Sequence, residues 1–139
     1  MNEQIAPRVQ TVIEEDRGIL QNFGMQVMKA WQGECVIQCQ VPSSMVNAAG
    51  FAHGSIVYAL MDTACAYCLG SVETRGVTIQ GDVKYVKGGQ ADSQFEARVS
   101  LASRTRRLAT LRGEVFLLDS GSPELAAHGS FVFALRQAD

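Results

Sequence analysis

With 139 residues, 47% of them hydrophobic and 19% charged, the chain has the size and composition of one folded domain spanning 1–139, not of a disordered segment. A formal charge of -2 offers no electrostatic footprint for nucleic acid, so none is expected as a partner. Met1 to Pro7 include Asn2, Glu3 and Gln4 and carry no apolar core, so no secretory leader is expected and a cytoplasmic location is.

The first predicted element is a helix over Glu3 to Leu20. Ile5, Val9, Val12, Ile13 and Leu20 recur near helical spacing, and Pro7 must fall in its first turn. Met25 to Trp31 and Cys35 to Val41 read as two strands joined in a hairpin at Gln32-Gly33. An irregular segment runs from Pro42 to Ala52. The stretch Phe51 to Val72 is apolar at about membrane-spanning length, but His53, Ser55, Asp62 and Thr63 interrupt it and Gly54 and Gly70 bound it. It reads as a buried helix from about His53 to Gly70, and no membrane partner is expected.

Beyond it the period changes to two. Val77, Ile79, Val83 and Tyr85 alternate with Thr78, Gln80, Asp82 and Lys84, as in a half-buried strand. Ser93 to Ala102 and Leu108 to Leu118 form a strand pair around Arg104, Thr105, Arg106 and Arg107. The turn from Asp119 to Pro123 leads into a last strand, Leu125 to Leu135. This order predicts an α+β fold with a helix packed on an antiparallel sheet.

Four cysteines stand at Cys35, Cys39, Cys65 and Cys68. Cys65 and Cys68 have the CxxC spacing of redox or zinc sites, but they lie near the end of the apolar helix instead of at its start, which favours core packing. His53 and His128 have no acid or cysteine at ligand spacing, so no metal is expected.

Asp62 is the only charged residue between Val46 and Val72. A carboxylate amid apolar residues is costly unless something pairs it or uses it. Before it come Asn47, Gly50, His53, Gly54 and Ser55. Gly54 lets a ligand approach the backbone N–H groups of the helix start, which with the helix dipole suit a developing oxyanion. Asn47 alone reads as a turn residue and His53 alone as a helix cap.

The pattern Asn47-x-x-Gly50-x-x-His53-Gly54, with an acid eight residues after that last glycine, resembles the hotdog-fold acyl-CoA thioesterases of the phenylacetic-acid-degradation (PaaI-like) type. The resemblance implies a long central helix wrapped by a curved antiparallel sheet of about five to six strands. It implies hydrolysis of a thioester to free acid and coenzyme A. In it the Gly54 N–H polarises the carbonyl, Asp62 is nucleophile or general base, Asn47 positions the water or the carboxylate, and His53 lines the thioester end. Thr78 takes the place of the hydroxyl residue that often stands beside the acid. Ser55 departs from the usual second glycine and is expected to narrow the acyl entrance, with Tyr58, Tyr67 and Phe51 among the lining residues. Arg104, Arg106 and Arg107, with Lys84 and Lys87, are candidates to meet coenzyme A phosphates. No cofactor is expected, coenzyme A being part of the substrate. Asp82 has no assigned role.

Gly54 and Asp62 are eight residues apart on one helix, about 12 Å along its axis. A carbonyl held at Gly54 must lie within about 3–3.5 Å of its nucleophile or water. If both roles hold, Gly54 works with Asp62 of a second subunit across a twofold interface. A homodimer is then the minimal active unit, and the resemblance implies a homotetramer. Two other readings remain open: a non-catalytic acyl-CoA-binding module, and an enoyl-CoA hydratase using Asp62 with a histidine.

Overall fold

The computed structural model describes residues 4–136; Glu3, at the start of the first predicted helix, lies outside them. The N-terminal segment forms two helices, α1 (Pro7–Glu15) and α2 (Arg17–Phe23), with Pro7 in the first turn of α1. The sequence predicts one helix here. Asp16 leaves helical geometry between them and accepts a hydrogen bond from the Tyr67 hydroxyl at 2.7 Å, so a tertiary contact wins over continuity. Gly24 ends α2 in the left-handed region at φ 68, where any Cβ would run into the Gln40 carbonyl.

Six strands follow the expected order: β1 (Met25–Trp31), β2 (Glu34–Gln40), β3 (Gly76–Tyr85), β4 (Gln94–Arg104), β5 (Leu108–Leu117) and β6 (Glu124–Leu135). Between β1 and β2, Gln32 at φ 52 and Gly33 at φ 81 make the tight turn that right-handed strand twist favours. All pairings are antiparallel, in the order β1-β2-β4-β5-β6-β3. The long helix α3 (Gly54–Gly70) packs against all six strands. This is the hotdog arrangement: a central helix wrapped by one curved antiparallel sheet.

The core lies between α3 and the sheet. Ile56, Leu60, Met61 and Leu69 of the helix meet Ile37, Phe95, Leu111 and Phe131 of the strands, all almost wholly buried. Each such side chain contributes about 1.5–3 kcal/mol by leaving water. All four cysteines are free and buried in this layer. Burial pushes the Cys68 thiol up to about 12, with the nearby Glu34 charge adding to it, and burial alone does the same for Cys39. All four side chains belong to the packed core.

Strand β3 departs from the half-buried reading. It sits at the edge of the sheet with a bulge between Thr78 and Gln80, and Val77, Ile79 and Tyr85 are more than half exposed. Val83, by contrast, packs against the core, and the Tyr85 hydroxyl reaches α3. Among the described residues no helix is long and apolar enough to cross a membrane.

Candidate active site

The first half of α3 runs along β3 with a residue every helical turn: Gly54, Tyr58 and Asp62. The strand residues it meets descend in step. Tyr85 donates its hydroxyl proton to the Gly54 carbonyl at 2.8 Å. The Tyr58 hydroxyl sits over Gly81, in the space a Cβ would occupy, and its ring meets Phe131 edge-on at 5.1 Å. Thr78 donates to Asp62 Oδ1 at 2.6 Å. The family resemblance implies a hydroxyl residue beside the acid at Thr78, and here the two side chains are in direct contact.

Asp62 is partly buried on an otherwise apolar helix, and Thr78 supplies its one side-chain hydrogen bond among the described residues. An ionised carboxylate held by a single donor keeps its remaining lone pairs available for a water or a carbonyl carbon.

The helix start is arranged differently from its chemistry-first reading. His53 is the cap residue: its Nδ1 accepts from the Ser55 N–H at 3.1 Å and lies 2.7 Å from Ser55 Oγ. The Ile56 N–H donates to the His53 carbonyl at 3.0 Å. Gly54, the first helical residue, has no preceding turn to donate to, so its N–H makes no intrahelical hydrogen bond. Ser55 is exposed, with its hydroxyl turned to His53.

Asn47 folds its own loop. Its Oδ1 accepts from the Ala49 N–H at 3.0 Å and the Phe51 N–H at 3.1 Å, and its N–H donates to the Phe51 carbonyl at 2.7 Å. That leaves its amide NH2 group to act outward. Phe51 is exposed, whereas Tyr67 is buried and tied to Asp16. Burial, then the Asp16 carboxylate, push the Tyr67 phenol well above its ordinary range.

The basic residues separate into two groups. Arg104, Arg106 and Arg107 surround the β4–β5 turn, which Thr105 closes by accepting from the Arg107 and Leu108 N–H groups at 3.3 and 3.1 Å. Lys84 and Lys87 lie at the opposite end of β3, about 26 Å away along the strand, where they pair with Asp82 at 3.1 Å and Glu124 at 2.7 Å. Asp82 thereby has a partner. Two arginines that the sequence did not single out join the turn instead: the Leu135 N–H donates to the Arg107 carbonyl and the Arg136 N–H to the Arg75 carbonyl, both at 2.8 Å. Sheet topology collects Arg75, Arg136 and the turn at one end. Tyr85 was also missed, since only the alternation of β3 pointed at it. His128 is exposed on β6, opposite Lys84 and Glu114.

Residues 49–124, more than half of the chain, match the thioesterase superfamily. No curated protein matches the chain. Among solved structures, the PaaI protein from the phenylacetic acid degradation operon of E. coli has a TM-score of 0.81 at 17% identity, covering 91% of this chain and 94% of its own. A phenylacetic acid degradation protein PaaI from Thermus thermophilus reaches 0.78 at 27% identity, covering 86% and 99%. A hypothetical thioesterase from Streptococcus pneumoniae, solved with coenzyme A, gives 0.74 at 21% identity, covering 80% and 87%.

Proposed function

The chain belongs to the thioesterase superfamily, and from there we propose that it hydrolyses acyl-CoA thioesters at a site shared between two copies. The carrying observation is the Asp62 carboxylate, held by Thr78 on the face of α3 that begins at the unengaged Gly54 N–H. The carbonyl oxygen of the thioester accepts from the Gly54 N–H at the positive end of the helix dipole. Asp62 attacks the carbonyl carbon or takes a proton from the water that does. The tetrahedral intermediate then collapses and the C–S bond breaks. The thiolate takes up a proton, from protonated Asp62 in the water route or from solvent in the direct one, and leaves as coenzyme A. In the direct route water then cleaves the acyl–Asp62 anhydride to the free acid and restores the carboxylate.

Two features support the shared site. Gly54 and Asp62 of one chain stand about 12 Å apart along α3, too far for one carbonyl. Thr78 touches Asp62 and Tyr85 touches Gly54, seven residues apart on an edge strand that exposes Val77, Ile79 and Tyr85. Long apolar edges call for a partner strand. An antiparallel twofold pairing of β3 with its copy, centred between Gly81 and Asp82, sets Thr78 opposite the partner's Tyr85. That brings Asp62 toward the partner's Gly54. The same dimer, doubled, gives the homotetramer, and the arrangement fits a cytoplasmic enzyme that needs no cofactor.

In this scheme the Asn47 amide NH2 group orients the water or carboxylate. The Arg104–Arg107 turn, extended by Arg75 and Arg136, faces the phosphates of coenzyme A, a role arginine suits through its bidentate fork. The solved coenzyme A complex of the streptococcal relative supports an acyl-CoA substrate. The test is thiol release from a panel of short, long and aryl acyl-CoA esters. Turnover of at least one ester, lost in Asp62→Asn, is expected. Intact Asp62→Asn turnover, or no thiol release from any ester, overturns the reading.

A further inference from the structure

The face of the sheet turned away from α3 carries two adjacent rows of polar side chains across β4, β5, β6 and β3. Strand register sets Arg98 beside Glu114, Glu114 beside His128, and His128 beside Lys84. In the next row it sets Ser100 beside Arg112, Arg112 beside Ser130, and Ser130 beside Asp82. Along the strands these positions alternate with Val99, Leu111, Val115 and Phe131, which are buried, so the two rows look outward. Together they line one trough of about 470 Å³. Two opposite charges in its middle are left over. The Arg112 and Glu114 side chains, two positions apart on β5, make no ion pair or hydrogen bond among the described residues. Lys84 and Asp82 pair with each other at 3.1 Å, yet both side chains stay more than half exposed. Phe116 and Val132, half-buried, flank the rows on either side.

We propose that this face packs against the same face of a second copy, sheet on sheet, about a twofold axis that crosses the strands between the two rows. Such an axis passes over Gly113, runs β5 antiparallel over its copy, and lays each row on the other row of the partner. Arg112 then meets the partner's Glu114, and Glu114 meets the partner's Arg112. Lys84 meets the partner's Asp82 in the same way. Arg98 and His128 fall on the partner's Ser100 and Ser130, whose short side chains leave room for them. A twofold contact needs a patch that complements itself, and this pattern does so in one register. An axis along β5 would lay Arg112 on Arg112 and Glu114 on Glu114, a like-charge juxtaposition. Because Arg98, Arg112 and Lys84 interleave with Glu114 and Asp82, the face suits neither a polyanion nor a polycation. It lies on the opposite side of the sheet from Asp62 and Gly54. It supplies the second contact of the homotetramer proposed above, and in that respect rests on the same reading.

The experiment follows assembly by native mass spectrometry and sedimentation velocity. The parent should be a tetramer. Arg112→Glu sets acid against the partner's Glu114 on both sides of the axis, and Glu114→Arg sets base against base. Each should raise the dimer–tetramer dissociation constant about a hundredfold or more, leaving folded dimers by circular dichroism. Mixed in equal amounts, the two variants should rebuild tetramers, since each meets its complement in the other. The double exchange, Arg112→Glu with Glu114→Arg in one chain, should rebuild them alone. A parent with no tetramer overturns the assignment, as do single variants that assemble like the parent. Tetramers lost in the single variants and recovered in neither combination overturn it as well. Single variants that fall to monomers, with assembly recovered in the mixture, uphold the face and reject the β3 pairing behind the shared site. Should a single variant fail to fold, the double exchange is read in its place: a tetramer upholds the register, and a dimer overturns it.

Discussion

The hydroxyl of Tyr85 donates to the carbonyl of Gly54 at 2.8 Å, which ties the first turn of the central helix to the edge strand. Burial, followed by the neighbouring Tyr58, raises the Tyr85 phenol above its ordinary value, so it stays a donor through neutral pH. Tyr85→Phe removes one neutral hydrogen bond, worth about 0.5–1.5 kcal/mol. Because the bond orients the proposed oxyanion donor, the expected loss is about two- to tenfold in kcat with KM nearly constant. Steady-state kinetics check this. A fall in melting temperature with unchanged kcat would make Tyr85 a structural tether only.

Asp62→Asn keeps the shape of the side chain and removes its basicity. A drop of about a hundredfold or more in kcat is expected, with a thermal melt close to that of the parent. Thr78→Val should cost less, since the carboxylate survives without its donor, and Thr78→Ser should restore most of the loss. Equal losses in Thr78→Val and Thr78→Ser would detach the hydroxyl from the chemistry.

Mixing two inactive proteins tests whether the site is shared. Gly54→Pro deletes the N–H donor in a first helical turn where proline is otherwise tolerated. Combined by subunit exchange with Asp62→Asn, it yields hybrid dimers with one site built from an intact Gly54 and an intact Asp62. Activity should return in proportion to the hybrid fraction measured by native mass spectrometry. Hybrids that form without activity would place the whole site in one chain.

Arg106→Gln together with Arg107→Gln should raise KM for acyl-CoA esters about tenfold or more, as expected for a lost charge-assisted phosphate contact. The same change should leave kcat nearly constant, because the contact lies far from the reacting carbon. An acyl N-acetylcysteamine thioester lacks the nucleotide and phosphates, so its kinetics should not respond. The KM of the parent for the CoA ester should also rise with salt. Equal effects on both esters would assign the arginines to the fold or the interface.

The sequence made the element order legible because hydrophobic period is local. The switch from the apolar run of α3 to the alternation of β3 survives intact in the fold. Thr78 came beside Asp62 only through the family resemblance, and the two are in contact. What the sequence could not carry depends on distant segments. The break at Asp16 needs Tyr67, which is fifty-one positions away in the chain. Strand order, invisible in one sequence, puts Lys84 and Lys87 at the end of β3 opposite the arginine turn within one protomer. For the same reason Arg75 and Arg136 were passed over. Asn47 and His53 show a different limit: a short polar side chain near a turn satisfies its own backbone first, so its position in a motif does not reveal which of its atoms remain free.

Tyr58 rests where a side chain of Gly81 would be, and this makes the two positions trade volume. The phenol fills the gap between the central helix and the edge strand, one helical turn before Asp62. Adding a single methyl group at the strand position would force the ring aside or the strand outward. Thinning the ring would let the strand fall in and close the gap. Neither position can drift alone, and a relative that carries a side chain at the equivalent of Gly81 should carry a smaller residue at the equivalent of Tyr58, as the compensating half of one exchange.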